Sequence, residues 1–294
     1  MQRLHNAIFL ASAFSGAFLV FPSVVHSAVL WDTLTPDSTI GFSSQLDIPT
    51  EAADDFTVTG SGFTVTDVSF LGLFTSDDPT IDDIDLAFYQ VFPGASDLTR
   101  TPATVRTNGP EDDEFAAFSV GEGNLSFTTT DLGSFTIDQA ILPGSGANTP
   151  GLGSGVVGGP VTGTLLQIDA KLSTPLELSP QAVFLVTAVD PTEGDFFNVA
   201  GSLPPDSPDP LLEGVVDRQT WFRTNAPFPN ALEPDWVRIS DVINQQDGTA
   251  DPAFNSAFRV IGEPNQIPEP GTLSLLSFGL LPALALLRRK TKAQ

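Results

Sequence analysis

Apolar and polar residues alternate along Gly62-Phe63-Thr64-Val65-Thr66-Asp67-Val68-Ser69-Phe70-Leu71. Successive side chains of a β-strand point to opposite faces, so this period of two predicts a strand with one face in the core. The same alternation occurs just before it, in Asp54-Asp55-Phe56-Thr57-Val58-Thr59-Gly60. Gly60-Ser61-Gly62 between the two predicts a hairpin turn, and therefore two half-buried neighbouring strands.

Strand signals of this kind recur along the body of the chain, separated by clusters of Gly, Pro, Asp and Asn. The predicted strands are 84–92, 115–120, 125–129, 134–142, 162–171, 182–189, 220–223, 236–239 and 257–261. Gly-rich 143–160 and Pro-rich 203–210 predict long loops within one domain, and a domain boundary at either stretch is the alternative. Helical signals in the body are limited to a turn around 241–246. The spacing predicts an all-β protein whose residues 29–263 form a jelly-roll-like β-sandwich.

The C-terminal residues 264–294 differ in character from the body. They contain Pro268-Glu269-Pro270, an apolar run over 272–287, and the basic residues Arg288, Arg289 and Lys290. A basic end is held on the cytoplasmic side of a bilayer, so the run predicts a transmembrane helix with that orientation. At about 1.5 Å per residue it reaches roughly 24 Å, which is short of a ~30 Å hydrocarbon core. A hydrophobic helix buried in the fold is the alternative, but it would not need the basic residues.

Taken in this order, the three elements resemble the PEP-CTERM sorting signal of bacterial proteins. The resemblance implies that an exosortase, a membrane-embedded protease, recognises Pro268, Glu269 and Pro270 and delivers the rest of the chain to the surface. Several short stretches of the body are similar to uncharacterised secreted β-sandwich proteins with the same tail. They are 53–56 with 65–68, 88–93, 221–223, 234–239 and 257–260. No catalytic residue is carried over by this likeness.

The N-terminal residues 1–28 predict a secretory signal peptide with a signal helix. Arg3 precedes an apolar segment over 7–21, and Val25-His26-Ser27-Ala28 offers small residues to signal peptidase, which would cleave after Ser27 or Ala28. A permanent N-terminal membrane helix is the alternative. The sequence therefore predicts a protein exported across the inner membrane, transiently anchored by its C-terminal helix, and then located at the cell surface or outside the cell.

The composition of the body excludes several functions. Both histidines of the chain, His5 and His26, lie in the signal segment, and the chain has no cysteine. A Ser-His-Asp triad, a Cys-His dyad, a His-ligated metal site and a disulfide are therefore excluded. Between the two ends, seven basic residues stand against 35 acids, a net charge of −28. Such a surface repels phosphates, so nucleic acid is not an expected partner.

Two candidate binding sites follow from clustered residues. Trp221 and Trp236, with Arg223 and Arg238 close by, could stack on and hydrogen-bond a sugar of an exopolysaccharide, although buried core aromatics would give the same pattern. Carboxylates are calcium ligands, so Asp77, Asp78, Asp82, Asp83 and Asp85 are candidate ligands for calcium, the one cofactor considered. Their spacing fits neither an EF-hand nor a calcium-binding nonapeptide repeat, and a solvated acidic loop is the alternative.

The sequence therefore favours a non-enzymatic surface or extracellular-matrix protein with a structural or adhesive body. A carbohydrate-binding module, with or without calcium, is the alternative. A glycoside hydrolase that uses a pair of carboxylates is a further alternative, because such chemistry needs neither His nor Cys. With 35 acids in the body, the sequence identifies no such pair.

Overall fold

The computed structural model describes residues 27–48, 50–92, 109–143, 155–202, 220–224, 236–239, 242–243 and 254–265. Within these ranges the regular structure consists of strands, and helical backbone occurs only at Ile239, Val242 and Ile243. The predicted all-β class is confirmed. No helix in this part of the chain is long and apolar enough to cross a membrane. Both predicted terminal helices lie outside the described residues.

The described residues contain sixteen strands. In chain order they are β1 (Ala28–Asp32), β2 (Pro36–Ser43), β3 (Thr50–Thr57), β4 (Phe63–Phe74), β5 (Ile81–Tyr89), β6 (Ala116–Ser119), β7 (Leu125–Ile137), β8 (Gln139–Pro143), β9 (Gly155–Gly158), β10 (Val161–Leu178), β11 (Ala182–Pro191), β12 (Phe196–Gly201), β13 (Trp221–Thr224), β14 (Val237–Arg238), β15 (Asn255–Ser256) and β16 (Phe258–Pro264).

These strands form two sheets. The ten-stranded sheet has the order β1-β16-β4-β12-β2-β8-β9, with β10 also paired to β4, β7 to β10 and β15 to β12. The six-stranded sheet has the order β14-β13-β3-β11-β5-β6. Among the described strand ladders, β2 with β8 is parallel and the others are antiparallel. Two packed sheets of this kind agree with a β-sandwich.

The predicted hairpin around Gly60-Ser61-Gly62 is wrong. β3 pairs with β11 and β13 in one sheet, whereas β4 pairs with β10, β16 and β12 in the other. The connection therefore crosses from sheet to sheet, and positive φ angles of 65° at Gly60 and 105° at Gly62 allow the tight reversal. The alternation was correctly recognised, but the two apolar faces meet across the core rather than side by side.

The main core lies between the sheets. Phe56 and Leu86 from the six-stranded sheet meet Val65, Phe70 and Ile168 from the ten-stranded sheet, and all five are at most 1% exposed. Burying an aliphatic or aromatic side chain of this size contributes about 1.5–3 kcal/mol. Because the body has no disulfide, this packing is the principal source of its stability.

The ten-stranded sheet also curls around a second apolar cluster. β7 pairs with β10 on one side of β4, and β8 pairs with β2 on the other side. Only Asp138 separates the end of β7 from the start of β8 along the chain. The Asp138 N–H donates to the Ser38 carbonyl at 2.9 Å, which brings β7 next to β2. The enclosed cluster includes Leu71, Leu73 and Phe197. Part of β4 is therefore buried on both faces.

The prediction of a long loop over 143–160 is wrong for its last part. β9 (Gly155–Gly158) pairs antiparallel with β8, so Gly-rich sequence here supplies backbone hydrogen bonds to the sheet. A glycine has the same backbone donor and acceptor as other residues, and composition alone does not exclude a strand. Residues 144–154 and 203–219 lie outside the described part of the chain.

Candidate functional site

The outer face of the six-stranded sheet carries the most concentrated polar cluster, set in an apolar layer. Ala53, Phe184, Val186, Trp221 and Trp236 are each at most 1% exposed and pack together on this face. The segment 109–115 lies over them. A Cβ placed on Gly109 would lie 3.0 Å from ring atoms of Trp221, so the segment passes close to the indole.

Arg223 is at the centre of the cluster, and the strand register places it there. β13 and β3 pair so that Arg223 lies directly opposite Glu51, and the Arg223 Nε donates to a Glu51 carboxylate oxygen. The Arg223 Nη2 donates to the Tyr89 hydroxyl at 2.8 Å, and Nη1 donates to the Asp112 carbonyl at 2.9 Å. Tyr89 donates in turn to Glu51 at 3.4 Å. Arg223 thereby joins β13, β3, β5 and the covering segment.

Aromatic rings enclose the guanidinium on its remaining side. The Arg223 Cζ lies 4.4 Å from the ring centroid of Trp236 and 5.2 Å from that of Tyr89, both within cation–π range. These two rings contact each other edge to face with centroids 5.6 Å apart. The Trp236 Nε1 donates to the Glu111 carbonyl at 2.9 Å. Trp236 therefore fixes the covering segment through a hydrogen bond as well as through packing.

The protonation states of the cluster follow from its burial and charges. Burial raises the pKa of Tyr89, and the Glu51 carboxylate raises it further against a smaller opposing effect of Arg223. Burial acts to lower the pKa of Arg223, but Glu51 and Tyr89 outweigh it and leave that pKa raised. The tyrosine is therefore neutral and the arginine charged, which makes the site a fixed ion pair rather than an acid–base device.

The four residues predicted as glycan contacts come together here, but in the interior. β13 and β14 pair Trp221 with Arg238, whose Cζ lies 5.2 Å from the Trp221 ring centroid. Trp221 and Trp236 are each 1% exposed, so neither indole offers an open face on which a pyranose could stack. The geometry is that of buried aromatics paired with cations, which was the alternative interpretation of these residues.

Two members of the cluster, Glu51 and Tyr89, were not predicted from the sequence. Tyr89 is the chain's only tyrosine, and it belongs to the stretch 88–93 that resembles secreted proteins with the same tail. The structure brings this stretch together with Trp221-Phe222-Arg223 and Trp236-Val237-Arg238. That shared likeness was the one signal in the sequence that could have linked Tyr89 to this cluster. Nothing in the sequence distinguished Glu51 from the other acids of the body.

The candidate calcium ligands occupy a turn and the strand that follows it. Asp77 and Asp78 are exposed in the β4–β5 turn, and Asp82 accepts a hydrogen bond from the Thr192 hydroxyl at 2.9 Å. Asp83 accepts from the Gly121 N–H at 2.9 Å and from the Ser119 hydroxyl at 3.2 Å. The carboxylates of Asp82 and Asp83 therefore already accept hydrogen bonds from neighbouring turns. Across the described ranges, no group of three or more His, Cys, Asp or Glu is arranged to hold a metal ion.

Two carboxyl groups in this region, those of Asp85 and Asp190, have raised pKa values. Burial raises the pKa of Asp85, a Ser119 hydrogen bond opposes it, and Asp83, Glu122 and Glu51 add to the rise. Burial also raises the pKa of Asp190, and Asp47, Asp82 and Asp83 contribute repulsion. Asp190 lies opposite Asp83 in the β11–β5 register. This edge of the body is therefore under electrostatic repulsion in the described structure.

Comparisons with known proteins add no family to this geometry. No family model, curated protein or solved structure matches the chain. The sorting residues Pro268, Glu269 and Pro270 and the basic residues Arg288, Arg289 and Lys290 lie outside the described part of the chain.

Proposed function

We propose that this chain is an exported bacterial surface or extracellular-matrix protein, sorted through residues 264–294, whose β-sandwich body has a structural or adhesive and non-catalytic role. A cleaved signal helix within 1–28 and a transmembrane helix over 272–287 are parts of the proposal. Arg288, Arg289 and Lys290 hold the end of that helix in the cytoplasm until an exosortase acts near Pro268-Glu269-Pro270.

The observation that supports the proposal most directly is where the described strands begin and end. β1 starts at Ala28, next to the predicted signal peptidase site, and β16 ends at Pro264, four residues before Pro268. The described strands therefore lie between the two apolar segments of the sequence, as the proposed arrangement requires. Cleavage after Ser27 would keep the whole of β1, including the pairing of Ala28 with Gly262.

The site on the six-stranded sheet supports a structural role for the body. Arg223 is engaged by Glu51, Tyr89 and Asp112, and both tryptophans are enclosed, so the cluster stabilises the fold and its covering segment. A jelly-roll-like topology remains part of the proposal, although the parallel β2–β8 pair departs from a purely antiparallel arrangement. Saturable heat on calorimetric titration with the host's exopolysaccharide would instead favour the carbohydrate-binding alternative, and its loss with chelator would implicate calcium.

The sorting assignment is tested by replacing Pro268-Glu269-Pro270 with alanines in a host that contains an exosortase. We expect the variant to remain in the membrane fraction, because its helix and basic end stay attached, while the parent chain is released. Immunoblots of membrane and extracellular fractions measure this. The matched control replaces Pro204-Pro205-Asp206, two prolines and an acid in the body, and should be released normally. Normal release of the Pro268-Glu269-Pro270 variant would contradict the assignment.

A further inference from the structure

Both ends of the described body emerge from the same end of the ten-stranded sheet. β1 runs antiparallel to β16 with Ala28 opposite Gly262, so the strand that begins the fold starts where the last strand finishes. A signal segment before Ala28 and a tail after Asn265 would therefore leave the body side by side. Once the signal segment is cleaved, the tail is the remaining proposed membrane attachment, and it leaves the body at this end.

The last described residue is fixed to this end by hydrogen bonds. The Asn265 N–H donates to the Gly62 carbonyl at 2.8 Å, and the Asn265 Oδ1 accepts from the Thr64 hydroxyl at 2.8 Å. The turn 58–62 is joined to the turn 179–181 by a hydrogen bond from the Val58 N–H to the Gln181 carbonyl at 2.8 Å. We call these two turns together with Asn265 the exit pole.

The opposite end of the body, at the far end of β4, differs sharply in charge. The segments 75–82 and 190–195 contain six acids and no basic residue, and we call them the acidic pole. Two hydrogen bonds join these segments. The Thr192 N–H donates to the Thr80 carbonyl at 3.0 Å, and the Asp195 N–H donates to the Thr75 hydroxyl at 2.8 Å. By contrast, 58–62 and 179–181 contain no charged residue, and the nearest acids, Glu177 and Glu263, lie on strands opposite Thr64.

Two distances determine how the exit pole and the acidic pole would lie relative to a membrane: the reach of the tail and the separation of the poles. Seven residue steps from Asn265 to Thr272 span at most about 25 Å, so the exit pole is held close to the bilayer. The eleven steps of β4 from Phe63 to Phe74 separate the poles by roughly 36 Å, several times the ~8 Å Debye length at physiological salt. An anionic bilayer therefore repels the acidic pole whenever that pole approaches it. Val29, 55% exposed and opposite Ile261, adds apolar surface near the exit pole.

We propose that the anchored body stands on the anionic bilayer surface with its exit pole toward the lipid and its acidic pole pointing away. This inference rests on the proposed membrane tail, and it adds which face of the body the membrane contacts. It follows that the acidic pole is the end presented to whatever lies outside the membrane, and that the turns 58–62 and 179–181 border the site where the tail is processed.

The test uses the chain from Ala28 to Gln294, as signal peptidase would leave it, in phosphatidylglycerol-containing vesicles. The chain has no cysteine, so Thr59→Cys at the exit pole and Thr80→Cys at the acidic pole each give a unique labelling site. Both threonines are exposed and thus matched in accessibility. A fluorophore on each is paired with a short-range acceptor on the lipid headgroups. Flotation of the vesicles reports separately whether the chain is anchored.

We expect anchored chains to transfer energy several-fold more efficiently from position 59 than from position 80. Equal or reversed transfer in chains that float with the vesicles would overturn the orientation while leaving the membrane tail intact. Failure to float would overturn the proposed tail, and the orientation with it. Loss of the difference when both labelled chains are transferred to detergent micelles, which lack an extended bilayer surface, is the control for a label artefact.

Discussion

Arg223 is the residue whose removal should disturb the body most. It forms an ion pair with Glu51 across the β13–β3 ladder. The Arg223 side chain is 9% exposed and the Glu51 side chain is 21% exposed. Arg223→Met would leave the Glu51 carboxylate without its partner in a largely apolar setting, so we expect a loss of about 3 kcal/mol in the free energy of unfolding. Urea denaturation of the purified protein measures this.

Arg259→Met is the matched control. Arg259 pairs with Asp32 at 2.8 Å, but the two side chains are 33% and 38% exposed, so water screens the pair. We expect this change to cost less than about 1 kcal/mol. If both variants lost the same stability, the Arg223 cluster would not be the fixed ion pair that its geometry indicates.

For these residues, the sequence predicted the right neighbours but left open whether they are exposed or buried. Trp221, Trp236, Arg223 and Arg238 do come together, because β13 and β14 are adjacent strands. Their burial depends on the segment 109–115, which lies more than 100 residues away along the chain from Trp221 and Trp236. A glycan platform and a core cluster use the same residue types, and only the covering segment distinguishes them.

Among the elements, β10 should tolerate added volume least at Gly163. A Cβ there would lie 2.0 Å from the backbone carbonyl oxygen of Phe74, the last residue of β4, and backbone cannot move aside as a flexible side chain can. We therefore expect Gly163→Ala to lower the free energy of unfolding by about 1–3 kcal/mol. Gly159→Ala, in the β9–β10 connection with no atom within 4 Å of the added Cβ, is the control and should be near neutral. Equal effects in urea denaturation would contradict the close β4–β10 contact.

The alternating half of β4 was predictable from the sequence, whereas the fully buried strand β12 was not. β4 was expected over 62–71 and spans Phe63–Phe74, because its first half alternates. β12 (Phe196–Gly201) was missed, since all six of its residues are buried and no alternation marks it. The sequence predicted separate strands over 125–129 and 134–142, whereas β7 is continuous across the gap between them. Its ladder with β10 shifts register near Gly133, whose φ is 91°, so a residue typical of loops is a bulge within the strand.

At the scale of the whole molecule, the charge of −28 between the two ends predicts that mild acid stabilises the body. The pKa values of Asp85 and Asp190 are raised in the fold, so the folded state binds protons more readily than the unfolded chain. Stability then falls as pH rises through these raised pKa values and increases as pH is lowered from 7. Relief of repulsion among the remaining carboxylates acts in the same direction.

Replacing both acids separates this local effect from the general one. We expect the Asp85→Asn, Asp190→Asn variant to unfold at higher urea than the parent at pH 7, and the advantage to shrink as pH is lowered, because the parent's two carboxyls then become neutral as well. An Asp77→Asn, Asp78→Asn variant removes the same number of charges from an exposed turn, where water already solvates them, and should gain less. Urea midpoints between pH 7 and pH 5 measure all three proteins. A parent whose midpoint falls steadily over this range would contradict the prediction, because it would show that hydrogen-bonded carboxylates elsewhere outweigh the repulsion around Asp85 and Asp190.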